Sequence, residues 1–401
     1  MRLVLVAAAF AAPVLAAAAP DPADWGAVRA EAEGQTVYWH AWGGDPRINA
    51  YIAWAGETVE DRFGVAVEHV KLSDTAEAVS RVLAEKAAGR DEGGAVDLIW
   101  INGENFAAMK ADDLLFGPWA EELPNWRWVD VEGKPAVVSD FTVPTEGLEA
   151  PWSMAQVVFI YDSARLPVPP RTMAGVLDWA RENPGRFTFP QPPNWLGGTF
   201  LKQALYGVVD DPSVLLRPAE AVDYAAVTAP LWDYMDALTP LLWREGRAYP
   251  PSGPRTRQLM ADGEIDMLIA FDPGEASSAI ANLELPPTAR TFVLEGGTLG
   301  NASFVAIPYN ASAKAGAMVL ANFLLSPEAQ ARKQDPAHWG ALTVLDVADL
   351  PEAERVRFHA LDLGVATLSP EELGPTLPEP HPSWMERLEA DWTARYGAGR
   401  E

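Results

Sequence analysis

The chain has 401 residues, long enough for two or three bodies that each bury a sizeable core. Its composition is that of a globular protein, with 49% hydrophobic and 21% charged residues. The formal net charge is −26, from 56 acidic and 30 basic residues, and this disfavours nucleic acid as a partner because phosphates require a basic surface.

The first nineteen residues have the pattern of a secretory signal peptide. One positive charge, Arg2, precedes an apolar run from Leu3 to Ala19 that ends in small residues suited to cleavage. Pro13 and the absence of a basic flank after the run argue against a membrane anchor. We therefore expect cleavage near residue 19 and export to the periplasm.

The sequence contains no cysteine. We therefore expect neither a lipid anchor on an N-terminal cysteine nor a disulfide framework. No second apolar run is long enough to span a membrane, so we expect a periplasmic protein that is not lipid-anchored.

Residues 36 to 101 alternate between strand and helix patterns. TVYWHAW at 36–42, VAVEHV at 65–70 and VDLIWI at 96–101 are predicted strands. Asp45 supplies an N-cap for an amphipathic helix that Gly64 ends, and a second helix begins near Asp74. The order β-α-β-α-β is typical of a parallel sheet, so the pattern favours an α/β fold.

Polar residues follow the ends of these strands. Ligands of open parallel sheets bind beyond the carboxyl ends of the strands, which places Trp42, Asn102, Glu104 and Asn105 at a predicted crevice. The alternative for Asn102 is simple capping of the next helix, and we expect it to cap. Capping alone does not require Glu104 and Asn105.

The middle of the chain predicts a crossing strand and a second alternating unit. Residues 117–151 are rich in proline, and the tryptophans there are read as packing residues. A strand pattern then runs unbroken from Trp152 to Tyr161, long enough to pass between two bodies. In the second unit, a strand over Asp266–Phe271 ends at the turn that contains Asp272 and Glu275.

Three segments resemble a known family. NASFVAIPYNASAKAGAMVLANFLLSPEAQ at 301–330 is similar to the extracellular solute-binding proteins of ABC importers, a group that includes binders of maltose, polyamines, iron and thiamine. WINGENFAAMK at 100–110 and LLFGPWAEELPNW at 114–126 resemble its YnjB-type branch. In the first segment Ser312 is expected to cap one helix and Ser326, with Pro327, to start the next.

The resemblance implies the two-lobe periplasmic-binding-protein fold (type II), with mixed sheets flanked by helices and a hinge of crossover strands. It implies lobe 1 from 20–155 plus 273–304, and lobe 2 from 156–272 plus 305–401. The implied partners are a small-molecule solute and an inner-membrane ABC permease, and we expect a monomer without a cofactor.

Enzyme motifs are missing from the sequence. The five histidines lack zinc-motif spacing, and no GxSxG elbow occurs, so we expect neither a metal site nor catalysis. The alternative is an exported carbohydrate-binding protein or a glycoside hydrolase that uses a carboxylate pair such as Glu104 and Asp272.

The predicted solute site combines aromatic rings, acids and amides and contains no lysine or arginine, since Arg47 and Lys202 are placed further into helices. Aromatic faces with acids suit an organic cation, although a neutral sugar or an anion stays open. The predicted ligand-binding residues are Trp42, Asn102, Glu104, Asn105, Trp152, Gln156, Trp195, Asp272, Glu275 and Asn301.

Overall fold

A computed structural model of the protein describes residues 20–397. The predicted signal peptide at 1–19 lies outside the described residues. Within the described part of the chain, no helix is both long and apolar enough to cross a membrane.

The larger sheet contains the predicted β-α-β-α-β unit. Strand β1 (Thr36–Trp42) pairs in parallel with both β2 (Ala66–Leu72) and β3 (Leu98–Ile101). Helices α2 (Pro46–Phe63) and α3 (Ala76–Ala87) make the two connections. The predicted parallel unit is confirmed.

Local sequence chemistry sets the bounds of α2. The Asp45 carboxylate accepts the Arg47 N–H at 2.8 Å, and Pro46 occupies the first turn. At the other end Gly64 has φ 68°, a left-handed conformation that glycine adopts without a steric penalty. Both predicted ends of this helix are confirmed.

The strand predicted from Trp152 to Tyr161 is two strands in two sheets. Strand β6 (Glu149–Gln156) pairs with β10 (Thr298–Ala306) in the larger sheet, whereas β7 (Val158–Asp162) lies at the centre of a smaller one. Val157 separates the two strands, so the chain passes between the sheets there, as expected of a crossing segment.

The remaining elements complete the two main sheets, cover their faces and add a separate two-stranded antiparallel sheet of β4 (Ser139–Asp140) and β5 (Val143–Pro144). In the larger sheet, β10 is antiparallel to β3 and β6, and β11 (Thr376–Leu377) pairs with its start. In the smaller sheet, β7 is flanked by β8 (Met267–Ala270) and β9 (Ala289–Phe292). The remaining helices are α1 (Trp25–Ala32), α4 (Gly103–Ala111), α5 (Met173–Glu182), α6 (Trp195–Val208), α7 (Tyr224–Leu238), α8 (Gly253–Ala261), α9 (Glu275–Ala281), α10 (Lys314–Leu324), α11 (Pro327–Gln334), α12 (Glu352–His359), α13 (Pro370–Leu373) and α14 (Ser383–Tyr396).

The apolar side chains form two separate cores. The first core draws on residues 28–154 and 302–358, and the second core, made of two clusters, draws on residues 155–299 and 366–392. The expected division placed 273–304 with the first body and 305–401 with the second, so the packing differs from it. The reason is that β10 is hydrogen-bonded to both β3 and β6, which keeps the chain after residue 302 in the larger sheet.

The two helix starts expected after residue 310 differ in outcome. The Ser326 hydroxyl accepts the Ala329 N–H at 3.2 Å and caps α11 as predicted. The prediction that Ser312 caps α10 is wrong, because its hydroxyl donates to the Gly94 carbonyl at 2.7 Å. The Asp97 carboxylate instead accepts the backbone N–H groups of Ser312 and Ala313, each at 2.8 Å.

Candidate functional site

A cavity of about 210 Å³ opens where strands of the two sheets end. Trp42 ends β1, Asn102 follows β3, and Asp272 follows β8, so the crevice predicted from strand ends is present. Residues of both cores surround it: α2 and α4 contribute from the first, α6, α8 and α9 from the second. Eight of the ten predicted residues line it, namely Trp42, Asn102, Glu104, Asn105, Trp195, Asp272, Glu275 and Asn301.

Two predicted ligand residues do not line this cavity. Trp152 is fully buried, with its ring 4.9 Å from that of Trp100 and 5.2 Å from that of Trp339. Gln156 is 3% exposed, and its side-chain amide donates to Thr298 and to the Leu373 carbonyl. Both residues belong to β6: the Trp152 ring packs among other rings, whereas the Gln156 amide is hydrogen-bonded within the protein.

The segment after β3 is arranged by contacts from distant parts of the chain. Gly103 has φ 58°, and its N–H donates to the buried Asp140 carboxylate at 2.6 Å. The Asn102 amide donates to the Ala302 carbonyl at 2.6 Å and makes no side-chain cap. The capping predicted for Asn102 is therefore wrong: the residue ties β3 to β10, and the turn at Gly103 directs Glu104 toward the cavity.

Glu104 lies in the cavity wall and forms no ion pair with any residue of the described chain. Its carboxylate accepts one side-chain hydrogen bond, from the Asn105 amide at 3.3 Å. Burial raises the pKa of Glu104, and Asp74 and Glu379 add to the rise, while the positive charge of Lys202 opposes it. The ionised form of this carboxylate is thus poorly compensated.

A buried ion pair stands at the same side of the cavity. Lys202 Nζ lies 2.6 Å from Glu379 Oε2, and both side chains are 2% exposed. The other Glu379 oxygen accepts the Asn301 amide at 2.9 Å, and the ammonium also lies 4.5 Å from the centre of the Phe141 ring. The lysine is therefore held by groups of the protein.

Asp272 is another carboxylate in the wall that forms no ion pair with a described residue, although it attracts the buried Lys333 ammonium electrostatically. It accepts the Trp339 indole N–H at 2.9 Å. Burial raises its pKa to about 7, with a further rise from Glu275 and Asp45, while the Trp339 hydrogen bond and Arg47 act in the opposite direction. Asp272 therefore exchanges its proton near neutral pH.

Arginines occupy the wall beside Asp272, contrary to the expectation that no base lies at the site. Arg257 pairs with Glu275 at 2.5 Å, with Glu284 at 2.9 Å and with Asp45 at 3.2 Å. Arg47 pairs with Asp45 at 3.0 Å. Glu275 thus holds Arg257 in place, which differs from the ligand contact predicted for it.

Two tryptophans meet across the cavity. Trp42 and Trp195 form an edge-to-face pair with ring centres 6.5 Å apart, and 39% of Trp195 is exposed. A wider groove of about 620 Å³ adjoins the cavity at Trp42 and passes Pro192 and Pro193. The tryptophan pair therefore stands between the enclosed cavity and open solvent.

Sequence reasoning missed residues that come from distant segments. Glu379 lies in the proline-rich tail, and Arg257 lies in a helix that follows no predicted strand end. Arg47 and Lys202, which the sequence places further into helices than the predicted site, both line the cavity. The one usable local signal was Asp45, predicted as a helix cap, which also lines the cavity.

The described residues offer little for a metal ion. Across 20–397, no group of three or more histidine, aspartate and glutamate side chains is arranged to hold one. The carboxylates of the cavity are instead paired with bases, bonded to N–H groups, or free to meet a ligand.

Comparison with known proteins places this architecture. Protein YnjB of Escherichia coli (strain K12) is 44% identical over 379 residues, which cover 94% of this chain and 95% of that protein. A substrate-binding protein of an ABC transporter from Bradyrhizobium japonicum superposes with a TM-score of 0.62 at 16% identity, covering 90% of this chain and 99% of the other.

Two further solved structures share the fold. A putative spermidine/putrescine ABC transporter from Listeria monocytogenes has a TM-score of 0.60 at 17% identity and covers 90% of this chain and 99% of its own. The periplasmic binding protein AfuA from Actinobacillus pleuropneumoniae, solved with fructose-6-phosphate, has a TM-score of 0.60 at 16% identity, with 91% and 99% covered. The predicted two-lobe periplasmic-binding-protein fold is confirmed.

Residues 54–353 match the family described as "Bacterial extracellular solute-binding protein". This match spans most of the described chain and includes residues of both cores and most of the cavity wall. The predicted resemblance is thereby confirmed, and the chain belongs to the bacterial extracellular solute-binding proteins, in the fold group of the ABC-transporter substrate-binding proteins.

Proposed function

We propose that this protein binds a small organic cation between its two lobes and delivers it to the inner-membrane permease of an ABC importer. The observation that carries the charge assignment is that two buried carboxylates of the cavity wall, Glu104 and Asp272, form no ion pair with a described residue. A positively charged solute would supply the missing partner to either group.

The charge of the cavity wall supports a cation. Six carboxylates line it against three basic side chains, so its formal charge is negative. The three bases, Arg47, Lys202 and Arg257, are each bonded to a carboxylate of the protein. An anionic solute would have to displace one of these carboxylates, at the expense of an established buried ion pair.

The electrostatics of Glu104 and Asp272 point the same way. Burial raises the pKa of Glu104 and of Asp272, which means that their ionised forms lack compensation. A bound cation would lower both values and would regain the free energy that each carboxylate forfeits on burial.

The aromatic residues suit a cationic centre of modest size. The rings of Trp42, Trp195 and Trp339 border the cavity, and an aromatic face attracts a desolvated cation by roughly 0.5–2 kcal/mol. A volume of about 210 Å³ somewhat exceeds the ~150 Å³ cavities that hold benzene, so the enclosed part fits a solute about as large as one substituted ring or short chain.

The division into lobes is part of this proposal. Lobe 1 would contain the first core and lobe 2 the second, with crossings near Val157, near residue 300 and between residues 358 and 366. Hinge closure about such crossings would bury the solute. We further propose export by the predicted signal peptide, action as a monomer, and release of the solute chemically unchanged.

A thermal-shift screen tests the charge class, because a ligand that binds only the folded state raises its melting temperature. The panels would contain primary amines, guanidines, quaternary ammonium compounds, neutral sugars, and carboxylate or phosphate anions. We expect a hit among the three cationic panels and recovery of that compound intact by mass spectrometry. A converted product would favour the enzyme alternative.

Substitutions then connect the hit to the site. Glu104→Gln should weaken cation binding tenfold or more, since hydrogen bonds to charged groups contribute about 1.5–3 kcal/mol. Trp42→Ala should weaken it as well. Glu121→Gln is the matched control, because this exposed carboxylate lies outside the cavity. Tight binding of an anion or a sugar that Glu104→Gln leaves unchanged would overturn the proposal.

A further inference from the structure

A polar cluster built around Asp45 joins the two sides of the cavity. On the first side, both Asp45 oxygens accept hydrogen bonds from the Arg47 guanidinium, at 3.0 and 3.2 Å, and one also accepts the Arg47 backbone N–H. The side chain of Asp45 is 6% exposed. Asp45 is thus fixed at the start of α2, whose residues Ile48 and Ile52 pack in the first core.

On the second side, Arg257 is fixed in the same way by its own surroundings. Its Nη1 donates to Glu275 at 2.5 Å and its Nε to Glu284 at 2.9 Å. Helix α8, which carries Arg257, packs through Leu259 and Met260 in the second core. The remaining guanidinium nitrogen, Nη2, is directed at the opposite side.

Two hydrogen bonds cross between these prearranged halves. Arg257 Nη2 donates to Asp45 Oδ2 at 3.2 Å, and Arg47 Nη1 donates to Ser278 Oγ at 2.7 Å. Ser278 is fully buried in α9, which packs against the second core. Both bonds must break if the two sides of the cavity move apart.

The charges remain paired when these two bonds break. Asp45 keeps Arg47, its neighbour on the same helix, and Arg257 keeps Glu275 and Glu284. Opening therefore leaves no isolated charge. Rupture of an ordinary buried ion pair is unfavourable because it does leave one. The two crossing hydrogen bonds therefore stabilise the closed form, while the remaining ion pairs keep every charge paired in the open form.

We propose a reversible latch that stabilises the closed cleft and consists of Asp45, Arg47, Arg257 and Ser278. Asp45 acts in it by holding the two arginines and does not contact the solute. Asp45 and Arg257 are positioning residues: they shift the balance between open and closed forms and hence the apparent affinity for any solute. This inference rests on the hinge closure proposed above but not on the charge class of the solute, because the latch is built from protein groups alone.

The latch can be measured without a solute, since the chain has no cysteine and two introduced cysteines are unique labelling sites. Ser80→Cys on α3 and Arg255→Cys on α8 are exposed positions on the two sides. Nitroxide labels there report the distance between the sides by pulsed electron paramagnetic resonance. In the otherwise unaltered protein we expect a population at the distance seen in this structure.

Asp45→Asn should lower the ratio of that population to the open one by about tenfold, the effect of one charge-assisted hydrogen bond. Asparagine caps helices as well as aspartate does, so α2 should be retained. Ser278→Ala should act in the same direction by removing the second crossing bond, and it carries the test if Asp45→Asn fails to fold. Glu284→Gln is the matched control, because it removes a carboxylate from Arg257 without crossing the cleft.

Three results would overturn the latch. One is a labelled parent protein with no population at the distance of this structure. Another is a distance distribution that neither Asp45→Asn nor Ser278→Ala alters. The third is a shift with Glu284→Gln equal to that with Asp45→Asn, which would show that the charge of Arg257, and not the crossing bond, matters.

Discussion

Replacement of Glu379 by glutamine should destabilise the protein strongly, because it leaves the Lys202 ammonium buried without a carboxylate. The two charged atoms are 2.6 Å apart, and each side chain is 2% exposed. At an effective dielectric constant of about 20, this separation corresponds to a gross attraction of roughly 6 kcal/mol. Desolvation offsets much of that gain in the intact pair but not in the variant.

Removing one partner of a buried pair typically costs about 3–5 kcal/mol. The Phe141 ring, 4.5 Å from the ammonium, and the amide oxygen of the new glutamine retain part of the stabilisation. We therefore expect a loss of about 3 kcal/mol in the free energy of unfolding. The double variant Lys202→Met/Glu379→Gln buries no charge there and should lose less than Glu379→Gln alone.

Urea unfolding followed by far-UV circular dichroism measures these differences. Asp178→Asn provides the comparison, since the ion pair of Asp178 with Arg181 is 70% and 56% exposed and should contribute less than about 1 kcal/mol. If Glu379→Gln were no more destabilising than Asp178→Asn, or if the double variant were the least stable, the pair would not have the energetic role assigned to it.

Other expectations concern pH, backbone packing and the tryptophans. Since burial raises the pKa of Asp272 to about 7, affinity for a cation should increase as the pH rises through neutrality, and calorimetry on Asp272→Asn should show a weaker dependence. Because the pKa of Asp272 is raised from 3.8, this carboxyl group's contribution to stability is lost as the pH rises from about 4 to 7. A denaturation series in which Asp272→Asn had the same pH profile as the parent would contradict this. Gly274→Ala should lower stability by about 1–3 kcal/mol, because the added Cβ would lie 2.5 Å from the Gly340 carbonyl oxygen, whereas Gly26→Ala, with its nearest atom at 3.4 Å, should be tolerated; equal melting temperatures for the two variants would refute the close contact. Trp126→Ala should reduce stability by roughly 1–3 kcal/mol, less than the loss of a fully buried ring, and leave solute affinity unchanged in the same titration.

Much of the fold around the larger sheet could be predicted because its signals are local. The cap at Asp45, the glycine at position 64 and the apolar spacing between them determine α2 within its own sequence. The crossing at Val157 could be anticipated only as a long strand. Its division into β6 and β7 depends on which partners lie alongside, β10 in one sheet and β8 and β9 in the other.

The candidate site could be predicted where it follows strand ends and not where it depends on long-range pairing. Glu104 and Asp272 were found because both follow predicted strands. Lys202 pairs with Glu379, 177 positions away, and no local sequence pattern predicts that contact. Asn102 has the sequence context of a cap, but the carbonyl of Ala302, 200 positions away, takes its amide.

The path of the chain between the two cores has a consequence for how the binding site is assembled. Residues that complete the first core extend to 358, and the carboxylate that neutralises Lys202 arrives only at position 379. In the signal-peptide export proposed above, this carboxylate would cross the membrane after more than nine-tenths of the chain. Lys202 would have no counter-ion until then and the cavity would lack part of its wall, so a competent cleft would form late in the maturation of the protein.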